Sequence, residues 1–434
     1  MFIDIAIENY RSIKDVQTFS LKGCASRLKK RNTFEPIKDY NNLKLLKSAV
    51  LYGGNSSGKS NLIRAFWTLR NFVIDSLKLK AGDLIPDNFY DPYLLDDCSK
   101  NRPTKISINF IARNGRRHRY IIQFNKFEVI YEYLGVYETS RISRIYERKN
   151  ANELVEFGKA MVNKKEDNRV CKNNLFLSKF GSIPNGQLRD LYVYFKEMEV
   201  WNIASIQSMD ELYNKVQQAF NIPGNYELRR KLSALIHMAD NRITEIQVAE
   251  RPDEYFENLP ETYKGQLKKA LKFETFGFHE FFVDSKERKF VKFTFKDQES
   301  QGIRCLFAIG GLVINIFERN VPVLVVLDDF GKSLHPHLIK FILDLFHNPI
   351  VNKNNAQLIF ATHETTLLDI DGFRKDQIWF SEKDKFGVTK LFSVNDLNNL
   401  KKASAVASFD NCYTAEKFAV LPNGKKNEFI SEYE

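Results

Sequence analysis

The stretch Ala49-Val50-Leu51-Tyr52-Gly53-Gly54-Asn55-Ser56-Ser57-Gly58-Lys59-Ser60-Asn61 decides how the rest of this chain is read. An apolar run ends in Gly-x-x-x-x-Gly-Lys-Ser, and apolar residues then recur at helical spacing (Leu62, Phe66, Leu69, Val73). Strand, glycine-rich loop and helix in that order are the context a phosphate-binding loop requires. Glycines let the backbone wrap closely, and the amides opening the helix point at negative charge. Gly53, Asn55, Ser56, Ser57, Gly58 and Asn61 are the candidate cradle. Lys59 would reach the outer phosphates of a nucleotide, and the Ser60 hydroxyl would ligate Mg²⁺.

Working outward, the chain has 434 residues, enough for two domains or for one domain with a large insertion. Its 43% hydrophobic and 27% charged residues are an ordinary globular balance. The N-terminus begins directly with alternation and early charge, unlike a secretory leader. The longest apolar stretch, Cys305 to Phe317, contains two glycines and falls short of the ~20 residues that span a bilayer. Five scattered cysteines without a C-x-x-C pair fit a reducing cytoplasm, not a disulfide framework or zinc site. The net charge of +11, clustered around Arg27–Arg31, Arg113–Arg119 and Lys268–Lys272, would attract nucleic acid non-specifically, or form solvated faces.

Residues Phe2–Ile7 and Val16–Leu21 read as strands, and Lys22–Leu43 as a long polar loop. From Thr104, two alternating runs flank Asn114-Gly115, a strong hairpin signal, and Phe127–Val136 extends the meander. Beyond residue 150 the pattern turns helical. Ser208-x-x-Glu211 reads as a capping box before Leu212, Val216 and Phe220, and Leu228–Ala239 forms a second apolar stripe. Strand character returns at Phe290–Phe295, a helix fits Ile303–Phe317, and Val321–Leu327 is an unbroken apolar strand.

That last strand ends in Asp328-Asp329, the pattern of a Walker B element. Its carboxyl end is where an open α/β sheet places ligand chemistry. Asp328 would hold Mg²⁺ and Asp329 would orient or deprotonate an attacking water. A further apolar strand, Gln357–Ala361, ends in Thr362-His363, where a histidine would hydrogen-bond the γ-phosphate or the lytic water.

Together these residues resemble the ATPase heads of the ABC and structural-maintenance-of-chromosomes class. The nearest branch is similar to RecF-like and "overcoming lysogenization defect"-like ATPases of bacterial defence operons, of the RloA, AbiLi and PtuA types. The resemblance spans about residues 1–140 and 290–395. Glu8-Asn9-Tyr10-Arg11-Ser12 resembles an N-[FY]-R-S element, which puts Arg11 near the phosphates. Glu299-Ser300-Gln301-Gly302 resembles the signature motif, implying that Ser300 and Gly302 contact a γ-phosphate held by the opposite protomer. Phe330–Pro336 resembles the D-loop, and Ala361-Thr362-His363 the switch histidine.

The fold this implies is α/β: an ABC/SMC-like P-loop ATPase head with an antiparallel β lobe and a mainly helical insertion. Residues 1–150 and 289–434 would form the head and 151–288 the insertion. A cytoplasmic homodimer joined through two ATP·Mg²⁺ sites follows from the resemblance, with higher assembly open. Asp329 stands where the family usually has glutamate. A carboxylate displaced by about 1 Å costs on the order of 10²-fold in rate, so slow hydrolysis is expected. Segment 397–434 shows no clustered-acid nuclease pattern, so a separately encoded nuclease or toxin is the expected effector of an antiphage switch. A RecF-like DNA-repair ATPase and an ATP-dependent scaffold with little turnover stand as alternatives.

Overall fold

The structure, a computed structural model, describes residues 1–396 apart from 27, 37–42, 139–140, 163–166, 185, 258–259, 284–286 and 369–371. The segment 397–434, read above for an effector domain, lies outside the described residues.

Strands β1 (Phe2–Glu8) and β2 (Gln17–Ser20) open the chain as an antiparallel pair. A short ribbon, β3 (Thr33–Phe34) with β4 (Leu45–Leu46), interrupts the segment expected to be loop. Strand β5 (Ser48–Tyr52) runs through the glycine-rich loop into α1 (Lys59–Asp75). Strands β6 (Thr104–Ile111), β7 (Arg117–Phe124), β8 (Val129–Tyr137), β9 (Ile142–Arg148) and β10 (Glu156–Phe157) then form an antiparallel meander that β1 and β2 complete.

Helices α2 (Phe176–Gly181) and α3 (Arg189–Glu197) lead to β11 (Glu199–Asn202), and α4 (Ile206–Asn221) and α5 (Tyr226–Ala239) follow. Next come β12 (Ile243–Glu250), α6 (Glu261–Ala270), β13 (Phe273–Val283) and β14 (Glu287–Thr294), whose strands make a separate three-stranded sheet. The chain then supplies α7 (Gln301–Phe317), β15 (Leu324–Asp328), α8 (Pro336–His347), β16 (Gln357–Ala361), β17 (Ile378–Lys383) and β18 (Thr389–Ser393).

The central sheet has the order β11-β15-β16-β5-β17-β18, parallel except for β18. Side chains alternate across a strand, and here the alternation divides two cores. Ala49, Leu51, Leu324, Val326, Ile359 and Ala361 face α1 and the β meander. Val50, Tyr52, Val325, Leu327, Leu358 and Phe360 face α4, α5, α7 and α8. Burial on both faces explains why these strands read as continuous apolar runs.

The two glycines inside the apolar run of α7 are packing residues. A Cβ on Gly311 would lie 2.3 Å from Val216 Cγ1, and one on Gly310 2.5 Å from Leu235 Cδ2. They let α4 and α5 pack close against α7. Among the described residues no helix is long and apolar enough to cross a membrane.

The start of α4 differs from the sequence reading, and two strand pairings cross the expected segment limits. The α4 cap is Ser205, whose hydroxyl accepts from Ser208 N, while Ser208 Oγ accepts from Asn202 N. Ser208-x-x-Glu211 is therefore the first turn of the helix and not its cap. The boundary at residue 288 falls inside β14, because β13 and β14 pair as one hairpin. The segment 151–288 also contributes β11 to the central sheet, so its contribution is not purely helical.

Candidate active site

The parallel register gathers the sequence-predicted groups at one edge of the sheet. Asp328 ends β15, Thr362 and His363 follow β16, and the glycine-rich loop follows β5. Loops that leave neighbouring parallel strands at their carboxyl ends necessarily meet there.

The loop is tightly specified. Gly58 has φ 107°, a left-handed conformation that favours glycine, and a Cβ there would meet Thr389 Oγ1 at 2.1 Å. A Cβ on Gly53 would lie 2.3 Å from Ser57 Oγ and 2.4 Å from Ser381 Oγ. The neighbours that crowd these glycines also brace the loop. Ser57 Oγ and Ser381 Oγ are 2.8 Å apart, and Thr389 Oγ1 donates to the Ser57 carbonyl at 2.9 Å. Thr389 is in turn tied to Ser12, by its hydroxyl at 2.7 Å and by its amide to the Ser12 carbonyl at 2.7 Å.

Ser381 and Thr389 carry no motif in the sequence, and Ser12 is the last residue of the N-[FY]-R-S-like element. Ser381 and Thr389 are distant from the loop in sequence, and the pairing of β17 with β5 and β18 brings them to it, while Ser12, between β1 and β2, joins through Thr389 and Asn61. Asn61, expected to contact nucleotide, donates its side-chain amide to Ser12 Oγ. Asn55 and Ser56 are exposed on the loop, and Ser57 is buried.

Lys59 is buried and donates to the Gly53 carbonyl at 2.7 Å and the Gly54 carbonyl at 3.0 Å. Burial pulls its ammonium down to about 8, while Asp329 and Asp328 pull the other way. A lysine so desolvated gains most from an added anion, which makes the loop suited to phosphate.

Asp328 is 2% exposed, and its Oδ1 has no hydrogen-bond partner among the described residues. Burial raises its pKa, and the Ser60 hydroxyl, hydrogen-bonded to the carboxylate, lowers it in part. A buried carboxylate left with an orphaned oxygen beside a serine hydroxyl fits a Mg²⁺ site. Mg²⁺ commonly takes one or two protein ligands and completes its shell with water and phosphate. Ser60 and Asp328 are a donor set of that kind.

Asp329 has φ 53°, a region in which short polar side chains are the commonest non-glycine residues. That conformation suits a short polar side chain such as aspartate. His363 Nε2 lies 4.0 Å from Asp329 Oδ1. Burial and then Lys59 hold the imidazole below its ordinary value, so it is neutral at pH 7. Asp329, His363, Thr362 and Glu364 line a cavity of about 440 Å³ with Gly331 and Lys332 of the D-loop-like turn.

A larger cleft of about 890 Å³ is lined by Tyr10, Arg11, Ser60, Arg64, Asp91 and Asp328 among others. Arg11 Nε pairs with Asp91 Oδ2 at 3.0 Å, and its amide donates to the Asp91 carbonyl at 2.6 Å. Asp91, which carries no motif in the sequence, thus fixes the arginine at the rim of the cleft.

Ser300 and Gly302 line neither cavity. Ser300 caps α7, accepting from Ile303 N at 3.2 Å, and a Cβ on Gly302 would lie 3.2 Å from the Ser333 carbonyl.

A family model described as "AAA domain, putative AbiEii toxin, Type IV TA system" matches residues 48–369. The chain belongs to this AAA family. Its fold is the α/β head of an ATPase, and it carries an ATP-binding, ATPase-type AAA domain. No curated protein matches the chain. Solved structures with a distant likeness include two of the recombination mediator protein RecF of the RecFOR pathway. The one titled RecF-ATP is 13% identical, covers 90% of this chain and 99% of its own, and has a TM-score of 0.39. The one titled RecF-ATPrS is 12% identical, with coverages of 90% and 98% and a TM-score of 0.38.

Proposed function

We propose that this AAA domain is a Mg²⁺-dependent ATP switch, dimeric through its nucleotide sites, that gates a separately encoded nuclease or toxin in antiphage defence. The observation that carries the ATP chemistry is the meeting of Lys59, Ser60, Asp328, Asp329 and His363 at one sheet edge. The loop amides and Lys59 hold the phosphates in this reading, and Arg11 approaches them from the rim. Ser60 and Asp328 would hold Mg²⁺, which would supply neutralisation of phosphate charge.

Asp329 accepts a hydrogen bond from the attacking water and takes its proton as the water oxygen bonds to the γ-phosphorus and the bond from that phosphorus to the β,γ-bridging oxygen breaks, releasing ADP and inorganic phosphate. The neutral His363 donates to the γ-phosphate or to that water. Because the Asp329 carboxylate is one methylene shorter than glutamate, turnover is slow and the ATP-bound dimer is long-lived.

Ser300 and Gly302 lie away from both cavities of their own protomer, an arrangement that suits residues acting on a partner's nucleotide. The defence role rests on resemblance and on a family description that mentions a putative toxin. Steady-state ATP hydrolysis and sedimentation of the purified chain, with Lys59→Ala as comparison, test the reading. Slow Mg²⁺-dependent turnover and ATP-dependent dimerisation, both lost in Lys59→Ala, are expected. Turnover equal in the two proteins, or a sedimentation coefficient indifferent to ATP, contradicts it.

A further inference from the structure

A third cavity, of about 300 Å³, lies between α4, the sheet of β12 to β14 and the start of α7, apart from the groups assigned to ATP. Its walls are apolar where they come from Ile203, Met209, Tyr213, Leu271 and Phe273. A small set of polar groups faces the same space, the usual make-up of a small-molecule site.

Arg304 lines the cavity with its Nη1 held by the Lys296 carbonyl at 2.7 Å, yet its buried Nε has no hydrogen-bond partner among the described residues. The Tyr213 hydroxyl, buried beside Thr275, makes no well-formed hydrogen bond. Gln217 spends its amide protons on Thr275 Oγ1 at 2.9 Å and the Phe273 carbonyl at 3.3 Å, which leaves its oxygen as an acceptor.

The charge of the lining is uneven. Arg251 is neutralised by Glu274 at 2.9 Å, and Asp210 is exposed. Arg304 and Lys296 form no ion pair among the described residues. An excess of one positive charge (Arg251, Lys296 and Arg304 against Asp210 and Glu274), apolar and aromatic walls and unsatisfied donors favour one chemistry over others. An aliphatic occupant would leave the donors unmatched, and a cation would be repelled.

We propose that this cavity binds a small ring compound carrying one carboxylate, sulfonate or phosphate group, and that its occupancy is felt at the start of α7. Gln301 and Ser333 both line the cavity, and they flank Gly302, whose backbone is packed against the Ser333 carbonyl. A ligand wedged there acts on the turn that carries Ser300 and Gly302. The binding claim stands on the cavity alone, whereas the coupling claim rests on the ATP switch proposed above.

The probe is 8-anilinonaphthalene-1-sulfonate, which has an aromatic body and one sulfonate, titrated by fluorescence into the full chain. One saturable site per chain is expected, unchanged in Lys59→Ala. Binding should weaken about tenfold in Arg304→Gln through loss of a charge-assisted hydrogen bond. Asn214→Trp, which fills the cavity from α4, should abolish it. Lys296→Gln, at an exposed position, should weaken it by a smaller factor. Equal binding in the wild type, Arg304→Gln and Lys296→Gln overturns the site. Saturating probe should also shift ATP turnover of the wild type severalfold but not that of Arg304→Gln. Binding without any shift overturns the coupling and leaves the ATP switch untouched, whereas absent turnover with intact probe binding refutes the switch alone.

Discussion

Two buried carboxylates, one in the β meander and one in the central sheet, are treated in opposite ways. Glu132 on β8 is fully buried, and its oxygens accept from Tyr120 at 2.9 Å, Tyr146 at 2.7 Å, Phe176 N at 2.7 Å and Leu177 N at 3.1 Å. Next to it, the fully buried Arg148 donates to four backbone carbonyls, those of Asn152, Cys171, Lys172 and Asn174. Asp328 is almost as deeply buried but keeps an oxygen without a partner among the described residues. A satisfied buried charge holds structure together; an unsatisfied one costs stability and is retained where something else will meet it. Glu132 pins β7, β9 and the start of α2, while in the function proposed above Asp328 is kept for Mg²⁺.

The strongest way to break this comparison is Glu132→Ala. Removing the carboxylate strands four buried donors, so a loss of about 3–5 kcal/mol is expected in chemical denaturation. A loss below ~1 kcal/mol would show that the pin is ornamental. His363→Ala comes next. It should lower ATP turnover by about 10²-fold while nucleotide binding, followed by calorimetry, stays near wild type. Equal loss of binding and turnover would place His363 in binding instead.

Asp328→Asn has a smaller effect of opposite sign. Burial raises the carboxyl's pKa in the folded state, so Asp328 destabilises the fold increasingly as pH rises through its unfolded and then its folded value. Asp328→Asn should therefore be more stable than wild type at neutral pH in the absence of Mg²⁺, and the difference should shrink as pH falls. The same denaturation curve would oppose the account if the variant were destabilised.

The smallest effect is in pH. Lys59 sits at about 8 in the free protein, so it is charged below that value and neutral above it. ATP affinity should fall severalfold as pH rises from 7 to 9, because the lysine loses its charge in the free protein. Fluorescence titration of a labelled ATP analogue checks this, and Lys59→Met should show no such inflection.

What was legible in the sequence was what local spacing encodes. Gly53–Ser60 between an apolar run and a helix, the Asn114-Gly115 hairpin, and Asp328 at the end of a buried strand all announce themselves within a few residues. The structure sets Lys59, Ser60, Asp328, Asp329 and His363 at one edge because β5, β15 and β16 are parallel neighbours. Contacts over long separations were not legible. Ser381 and Thr389 reach the loop only through β17 and β18, and Asp91 reaches Arg11 across a connection without a motif. Glu132 read as one polar residue in an alternating strand, and nothing nearby marked it as the hub of a buried network. The start of α4 was misplaced because Ser205 and Ser208 are both good caps, and packing of β11 decides between them.

The central claim is that Asp328 is left unsatisfied in order to meet Mg²⁺ beside bound ATP. Calorimetric titration of ATP into wild type and Asp328→Asn, each with and without Mg²⁺, tests it most directly. Wild type should bind ATP much more tightly with the metal than without, and Asp328→Asn, folded and at least as stable, should show no metal dependence. An Asp328→Asn protein that retains the full Mg²⁺ enhancement would contradict the account.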